Sequence, residues 1–204
     1  MLGLPKATEV KRQLPKSAIY RKFSMNTAAR EKFDAGVSRI DIVNEVSPAN
    51  TTLAAGETVT SFFVLLVTLK QAGYDEKNIV LLSKLIEQNM LFVLRFEDQA
   101  RLAVFHSKLL QGDWAPMDSL AVTLTGLNLD TAWENLLIQV GNVTMEPGRT
   151  LDEQLAVDER RARLKKQIEQ LERKARAEKQ PKKKFGLHQQ ILQLKKELEN
   201  SDYV

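Results

Sequence analysis

The sequence predicts an α+β protein with a mixed or mainly antiparallel sheet covered by helices, followed by a C-terminal α-helical hairpin or coiled coil. Short runs rich in Phe, Val and Leu, such as residues 61–69, alternate with amphipathic segments, which is typical of a sheet packed on helices. From residue 151, apolar residues recur at spacings of three and four, which is typical of a coiled-coil seam. We therefore divide the chain into a core, residues 1–147, and a tail, residues 148–204.

The core is predicted to begin with two short basic helices. Pro15 suits the first turn of a helix over 16–23. Asn26 or Thr27 can cap a second helix over 28–35, which ends near a glycine.

Strands and helices then alternate along the core. Periodicity predicts strands over 40–46 and 61–69, a helix from an Asp75 cap to about residue 89, and strands over 90–96 and 102–106 joined across 97–100. Alternation over 120–124 predicts another strand. Thr131 and Glu134 have capping-box spacing for a last core helix that would bury Trp133.

The tail is predicted to fold back on itself. Residues 142–150 form the linker, and Thr150 with Glu153 has capping-box spacing for a long helix. Pro181 costs a continuous helix roughly 3 kcal/mol and Gly186 about 1 kcal/mol, so one unbroken helix is disfavoured. An antiparallel hairpin with residues 182–184 at its tip fits this break. A kinked, dimeric coiled coil is the alternative.

Positive charge is concentrated at both ends of the chain. Residues 1–32 carry eight Lys or Arg and two Glu, residues 33–150 carry eight against fourteen acids, and residues 151–204 carry fourteen against ten. The two ends either dock on the acidic middle or face one shared anionic ligand.

The middle of the tail has the strongest imbalance. Between residues 160 and 184, twelve Lys or Arg accompany three Glu, whereas a solvated coiled coil normally alternates charge signs. Such a surface favours a polyanion or an acidic partner. We predict that ten of these side chains contact a nucleic-acid backbone: Arg160, Arg161, Arg163, Lys165, Lys166, Arg173, Lys174, Lys182, Lys183 and Lys184.

Composition excludes several classes of protein. The chain has no Cys, so it can form neither disulfides nor thiolate zinc sites. It has no apolar run long enough to cross a bilayer and no signal-peptide pattern at its start, so we expect a cytoplasmic protein. The glycines at 112, 126 and 141 are isolated and form no phosphate-binding loop, so we expect no cofactor.

Evidence for catalysis is weak. A restriction-type nuclease needs carboxylates that hold a divalent metal beside a lysine, with an acid two residues before that lysine. Lys70 follows a clear strand, but Thr68 occupies the acidic position, and Asp41 or Glu45 would each supply only one carboxylate. We therefore predict no catalytic residues and no metal site. Trp114 could stack on a base, although a Trp that packs a loop onto the sheet is commoner.

The order of these segments resembles the uncharacterised prokaryotic family DUF4391, a domain of unknown function. The resemblance is carried by Leu2-Gly3-Leu4-Pro5, Leu14-Pro15-Lys16, the strands at Leu65-Val67-Leu69 and Leu91-Phe92-Val93, the stretch from Gln167 to Lys174, Glu178-Lys179-Gln180, and Leu194 to Leu198. It departs at Pro181-Lys182-Lys183-Lys184-Phe185-Gly186, where the family's tail usually continues in a helix-compatible run. The resemblance implies a restriction or phage-defence setting beside helicases and DNA methyltransferases.

Three functions follow from these patterns together with the resemblance, which alone implies the helicase or methyltransferase partner. The first is a non-catalytic accessory subunit that binds a helicase or DNA methyltransferase subunit through its core and nucleic acid through its tail. The second is a purely structural assembly factor, with a homo-oligomer formed through the C-terminal helices. A degenerate metal-dependent nuclease comes last.

Overall fold

The computed structural model describes residues 2–200, which divide between Val143 and Thr144 into an N-terminal α+β unit and a C-terminal helical unit. The N-terminal unit is built on one open mixed sheet of seven strands. Its strands are β1 (Glu9–Gln13), β2 (Val37–Val46), β3 (Phe62–Leu69), β4 (Asn89–Phe96), β5 (Gln99–His106), β6 (Lys108–Gln111) and β7 (Ala115–Pro116).

The sheet follows the order of the chain. Its order is β1-β2-β3-β4-β5-β6, with β7 also paired to β5. Only the β3–β4 pair is parallel, and it is joined through the helix α3 (Glu76–Leu82), since parallel neighbours need a crossover connection. The predicted mixed, mainly antiparallel sheet is confirmed.

Helices cover both faces of the sheet. The helices α1 (Lys16–Lys22) and α2 (Thr27–Gly36) pack with α3 on one face, where Ile19, Phe33 and Leu65 are almost fully buried. The other face is covered by α4 (Leu129–Gly141), where the Trp133 ring lies 5.0 Å from that of Phe62. Phe62 and Leu65 are an odd number of residues apart on β3, so they face opposite sides.

Asp130, at the start of α4, fixes a distant loop. Its carboxylate accepts hydrogen bonds from the backbone N–H groups of Glu57, Thr58 and Val59 and from the Thr58 hydroxyl. These bonds to the charged form, led by the one from the hydroxyl, lower the pKa of Asp130. A Cβ at Gly56 would clash with this carboxylate, so a larger residue there would displace Asp130 from its hydrogen bonds.

The basic N-terminal helices are partly neutralised by acids of the same unit. Lys16 donates to Asp34 at 2.6 Å, and Lys32 lies 2.9 Å from Asp75. Asp34 also accepts from the Tyr20 hydroxyl, and burial together with this bond raises the pKa of Tyr20 to about 12. Part of the positive charge at the N-terminal end is therefore neutralised by acids of the middle of the chain, as one of the two alternatives predicts.

Four local predictions need correction. The stretch 120–124 is an extended loop and not a strand, because the Gln139 side chain and Leu2 take the hydrogen bonds that a strand would offer to a neighbour. The helix α4 is capped by Asn128, not by Thr131. The helix α3 ends at Leu82, before the chain enters β4. The β4–β5 turn has two residues, with Glu97 in the left-handed region at φ 55°.

The C-terminal unit is an antiparallel helical hairpin of α5 (Leu151–Ala177) and α6 (Pro181–Asn200). The predicted capping box of Thr150 and Glu153 is present. Pro181 takes the first position of α6, where its missing N–H costs nothing. Gly186 does not interrupt α6, which corrects the prediction that it contributes to the break, and nothing lies within 4 Å of the place its Cβ would take.

Candidate nucleic-acid interface

The seam of the hairpin determines where its cations lie. Ile168, Ala175 and Ile191 are buried between the helices, and four leucines pack beside them: Leu171, Leu187, Leu194 and Leu198. Because these residues recur every three or four positions, they occupy one side of each helix. The Lys and Arg residues between them are left on the flanks and the outer faces.

The four predicted arginines form ion pairs within the unit. Their partners are Glu197 for Arg160 at 2.9 Å, Glu146 for Arg161 at 2.8 Å, Glu159 for Arg163 at 3.5 Å, and Glu169 for Arg173 at 2.6 Å. Exposed pairs of this kind contribute about 0–1 kcal/mol, so three of these arginines can exchange a carboxylate for a phosphate at little cost.

Arg161 differs from the other three arginines. Its side chain is only 18% exposed, and its hydrogen bond to Glu146 is the main reason that the pKa of Glu146 is lowered. Glu146 also pairs with Arg149. Arg161 therefore anchors the segment before α5, which is a structural role.

The six predicted lysines have a different environment. All are exposed, and none lies within 4.0 Å of a carboxylate belonging to residues 2–200: Lys165, Lys166, Lys174, Lys182, Lys183 and Lys184. Their positive charge is available to an external anion.

Two grooves at the end of the hairpin bring several of these cations together. Lys174 and Lys183 line a groove of about 540 Å³ on one face, with Glu178 between the helices. On the other face, Lys184 and Arg176 line a groove of about 660 Å³. Our sequence prediction left out Arg176, although it belongs to the same basic run.

The tip lysines, Lys182, Lys183 and Lys184, occupy the first turn of α6. That turn contains no acidic residue. The aligned peptide dipoles make a helix N-terminus equivalent to about half a positive charge, which disfavours cations there. Sequences that break such a local rule often do so at functional sites. The first turn of α6 therefore combines three cations with the positive end of the helix dipole.

The residues considered for a nuclease are not brought together. Asp41 pairs across the sheet with Leu66, which places it about 13 Å along the strand from Lys70, and it binds Arg39 at 2.7 Å. Glu45 pairs with Phe63, still farther from Lys70. In residues 2–200 no group of three or more acidic or histidine side chains could hold a metal ion.

Trp114 has its ring contacts within the N-terminal unit. The Arg101 guanidinium lies 5.4 Å from its centroid, and Tyr74 makes an edge contact at 6.5 Å. The half-buried ring packs against the core of the sheet.

These observations define an α+β protein that carries a basic helical hairpin. The family model for the domain of unknown function DUF4391 matches residues 2–198, nearly the whole chain, and the chain belongs to that family. No curated protein and no solved structure matches it. Among residues 2–200, no helix is long and apolar enough to cross a membrane.

Proposed function

We propose that this protein is a cytoplasmic, non-catalytic accessory subunit whose hairpin binds the phosphate backbone of a nucleic acid. The observation that carries the proposal is the placement of the three tip lysines at the positive end of α6, without acids in that turn. A bound phosphate would interact favourably with both the lysines and the helix dipole.

The proposed contacts are the six lysines without an acidic partner among the described residues, together with the exposed arginines Arg160, Arg163 and Arg173. These residues lie on both faces and on the outer side of the hairpin. Such a distribution suits a flexible or wrapping polyanion better than one small ligand. Since the contacts are to phosphates, we expect binding with little sequence preference.

The wider setting in this proposal rests on the family resemblance. We place the protein in a restriction or phage-defence system, with its α+β unit docked on a helicase or DNA methyltransferase subunit. Co-expression with the helicase and methyltransferase of such a system, followed by size-exclusion chromatography, tests the docking. Separate elution of all three proteins at micromolar concentration would contradict it.

The nucleic-acid contact is tested by salt dependence. Each phosphate contact contributes about −0.9 to the slope of log affinity against log salt on duplex DNA, and about −0.7 on a single strand. Changing the three tip lysines to Gln should therefore flatten the slope by about two to three. The control replaces Lys22, Lys70 and Lys77, three exposed lysines of the other unit, by Gln and so makes the same change in net charge.

The control variant should bind like the wild type. Equal losses in both triple variants would indicate a general charge effect and contradict a site at the tip. Absence of salt-dependent binding in the wild type would favour the alternative function, an assembly factor whose hairpin only bridges or dimerises proteins.

A further inference from the structure

The tip of the hairpin also carries an exposed aromatic ring. Phe185 follows the tip lysines directly and is 65% exposed, the only exposed aromatic side chain in residues 2–200. Aromatic side chains normally bury most of their large apolar surface. An exposed ring at this position therefore calls for an explanation that seam packing does not provide.

Phe185 lies on the side of α6 that faces away from α5. The seam uses Leu187, Ile191 and Leu194. At 100° per residue, Phe185 lies roughly 150° from the middle of this stripe, so the ring cannot join the seam without a rotation of the helix. Leu192, seven residues on, shares its side of α6 and is 61% exposed.

The ring is surrounded by positive charge. Lys182 lies three residues before Phe185 and is therefore its neighbour on the helix surface. Lys183 and Lys184 flank it on the two faces, where they line the two grooves. In contrast with Trp114, whose ring is contacted by Arg101 and Tyr74, Phe185 forms no ring pair or cation–π contact within residues 2–200.

An exposed ring within a cluster of lysines matches the chemistry of unpaired nucleotides. Lysines attract the phosphates, and a free aromatic face stacks on a base, which every unpaired base permits whatever its identity. In a duplex the base faces are stacked on one another and are closed to Phe185. The carboxylates of an acidic peptide would pair with the lysines, but they offer no flat aromatic face on which Phe185 could stack.

We infer that the tip binds single-stranded nucleic acid in preference to duplex, with Phe185 stacked on a base and the tip lysines on the flanking phosphates. This inference rests on the proposed function and adds to it the substrate class. Leu192 lies nearly two turns beyond Phe185 and is not needed for the stack.

The test uses the full-length protein, a fluorescein-labelled oligothymidylate strand, and a labelled duplex of equal length. Fluorescence anisotropy gives the affinity of each at several salt concentrations. Phe185→Ala should weaken single-strand binding by about 5- to 150-fold, the range measured for loss of one base–aromatic stack, and leave duplex binding and the salt slope unchanged. Phe185→Trp should bind at least as tightly as the wild type.

Two further variants separate stacking from apolar contact and from misfolding. Phe185→Leu keeps an apolar side chain without a π-face and should lose affinity nearly as Phe185→Ala does. Leu192→Ala removes the neighbouring exposed side chain and should change neither affinity. Circular dichroism should show equal helix content in all variants, as expected for substitutions at exposed positions.

The outcomes distinguish the two proposals. If the wild type binds with a salt slope that the tip lysines control, but Phe185→Ala binds the strand equally well, the stacking inference is wrong and the proposed function stands. Equal losses on strand and duplex, or a wild-type preference for duplex, would also overturn the inference. If no nucleic acid binds and polyglutamate does, both proposals fail.

Discussion

The tip lysines should destabilise the hairpin that carries them, and this can be measured without any ligand. The perturbation is the triple change of Lys182, Lys183 and Lys184 to Gln. Gln and Lys have nearly equal helix propensity, so the substitution removes charge without changing the intrinsic preference for a helix. The helix dipole acts within the first turn, where all three residues lie.

The size of the effect follows from this position. A charge at a helix terminus contributes about 0.3–1 kcal/mol at low ionic strength, and the three charges are partly redundant, so we expect about 1–2 kcal/mol in total. The apolar cluster between the two helices contains three buried side chains, Ile168, Ala175 and Ile191, so this change is appreciable for the local stability of the unit. It corresponds to amide exchange about 5- to 30-fold slower in α6, since 1.4 kcal/mol is tenfold.

The assay is hydrogen exchange followed by mass spectrometry on the full-length protein, under conditions where exchange reports the local opening equilibrium. The positional control is Lys196→Gln, which removes one charge from the other half of α6 and should not slow exchange. Added salt should reduce the gain in the triple variant because it screens exposed charges. Faster exchange in α6 of the triple variant at low salt would show that the lysines stabilise the hairpin. That result would refute the reasoning that they are unfavourable there and serve to bind a ligand.

Three further predictions concern the N-terminal unit. Asp130→Asn should destabilise the protein at neutral pH, and because the folded-state pKa of Asp130 is lowered, its contribution is complete above the unfolded value of about 3.9. The contribution is lost as pH falls through the folded pKa, so urea unfolding should show the variant and wild type converging in acid; a pH-independent difference would exclude the ionised carboxylate as its cause. A fragment of residues 1–147 should keep a cooperative thermal transition, whereas an insoluble or non-cooperative fragment would show that the core requires the tail. Purified protein should not cleave DNA with magnesium or manganese, and Lys70→Ala should cost under about 0.5 kcal/mol of stability; metal-dependent cleavage that this change abolishes would support the nuclease.

The elements that could be predicted have strong apolar periodicity or end at a residue that breaks a helix. The strands β3 and β4 are central and buried, so their apolar runs stand out in the sequence. Pro181 predicted the break of the hairpin because its ring and missing N–H forbid a helix interior. The apolar spacing around Ile168 and Ile191 predicted the seam, because burial on one side of a helix requires apolar residues every three or four positions.

The elements that could not be predicted have no such local pattern. The edge strand β1 exposes nearly all of its side chains and is held by backbone pairing with β2, which leaves no apolar alternation to detect. The sequence could not distinguish the cap at Asn128 from one at Thr131, since both residue types cap helices. At the tip, sequence predicted the cluster of lysines, but the exposure of Phe185 depends on which side of α6 faces the seam.

The order of the strands has a consequence for how the chain folds during synthesis. Each strand from β2 to β6 pairs with the strand that precedes it in sequence, so the sheet can be extended by one strand at a time as the chain leaves the ribosome. Pairing of sequence neighbours keeps loop closures short, which favours fast folding. The face that α4 covers stays open until α4 emerges, which leaves Phe62 and its neighbours exposed to aggregation in a nascent chain. The hairpin emerges after the sheet, and its helices, joined by three residues, can pair without waiting for any distant segment.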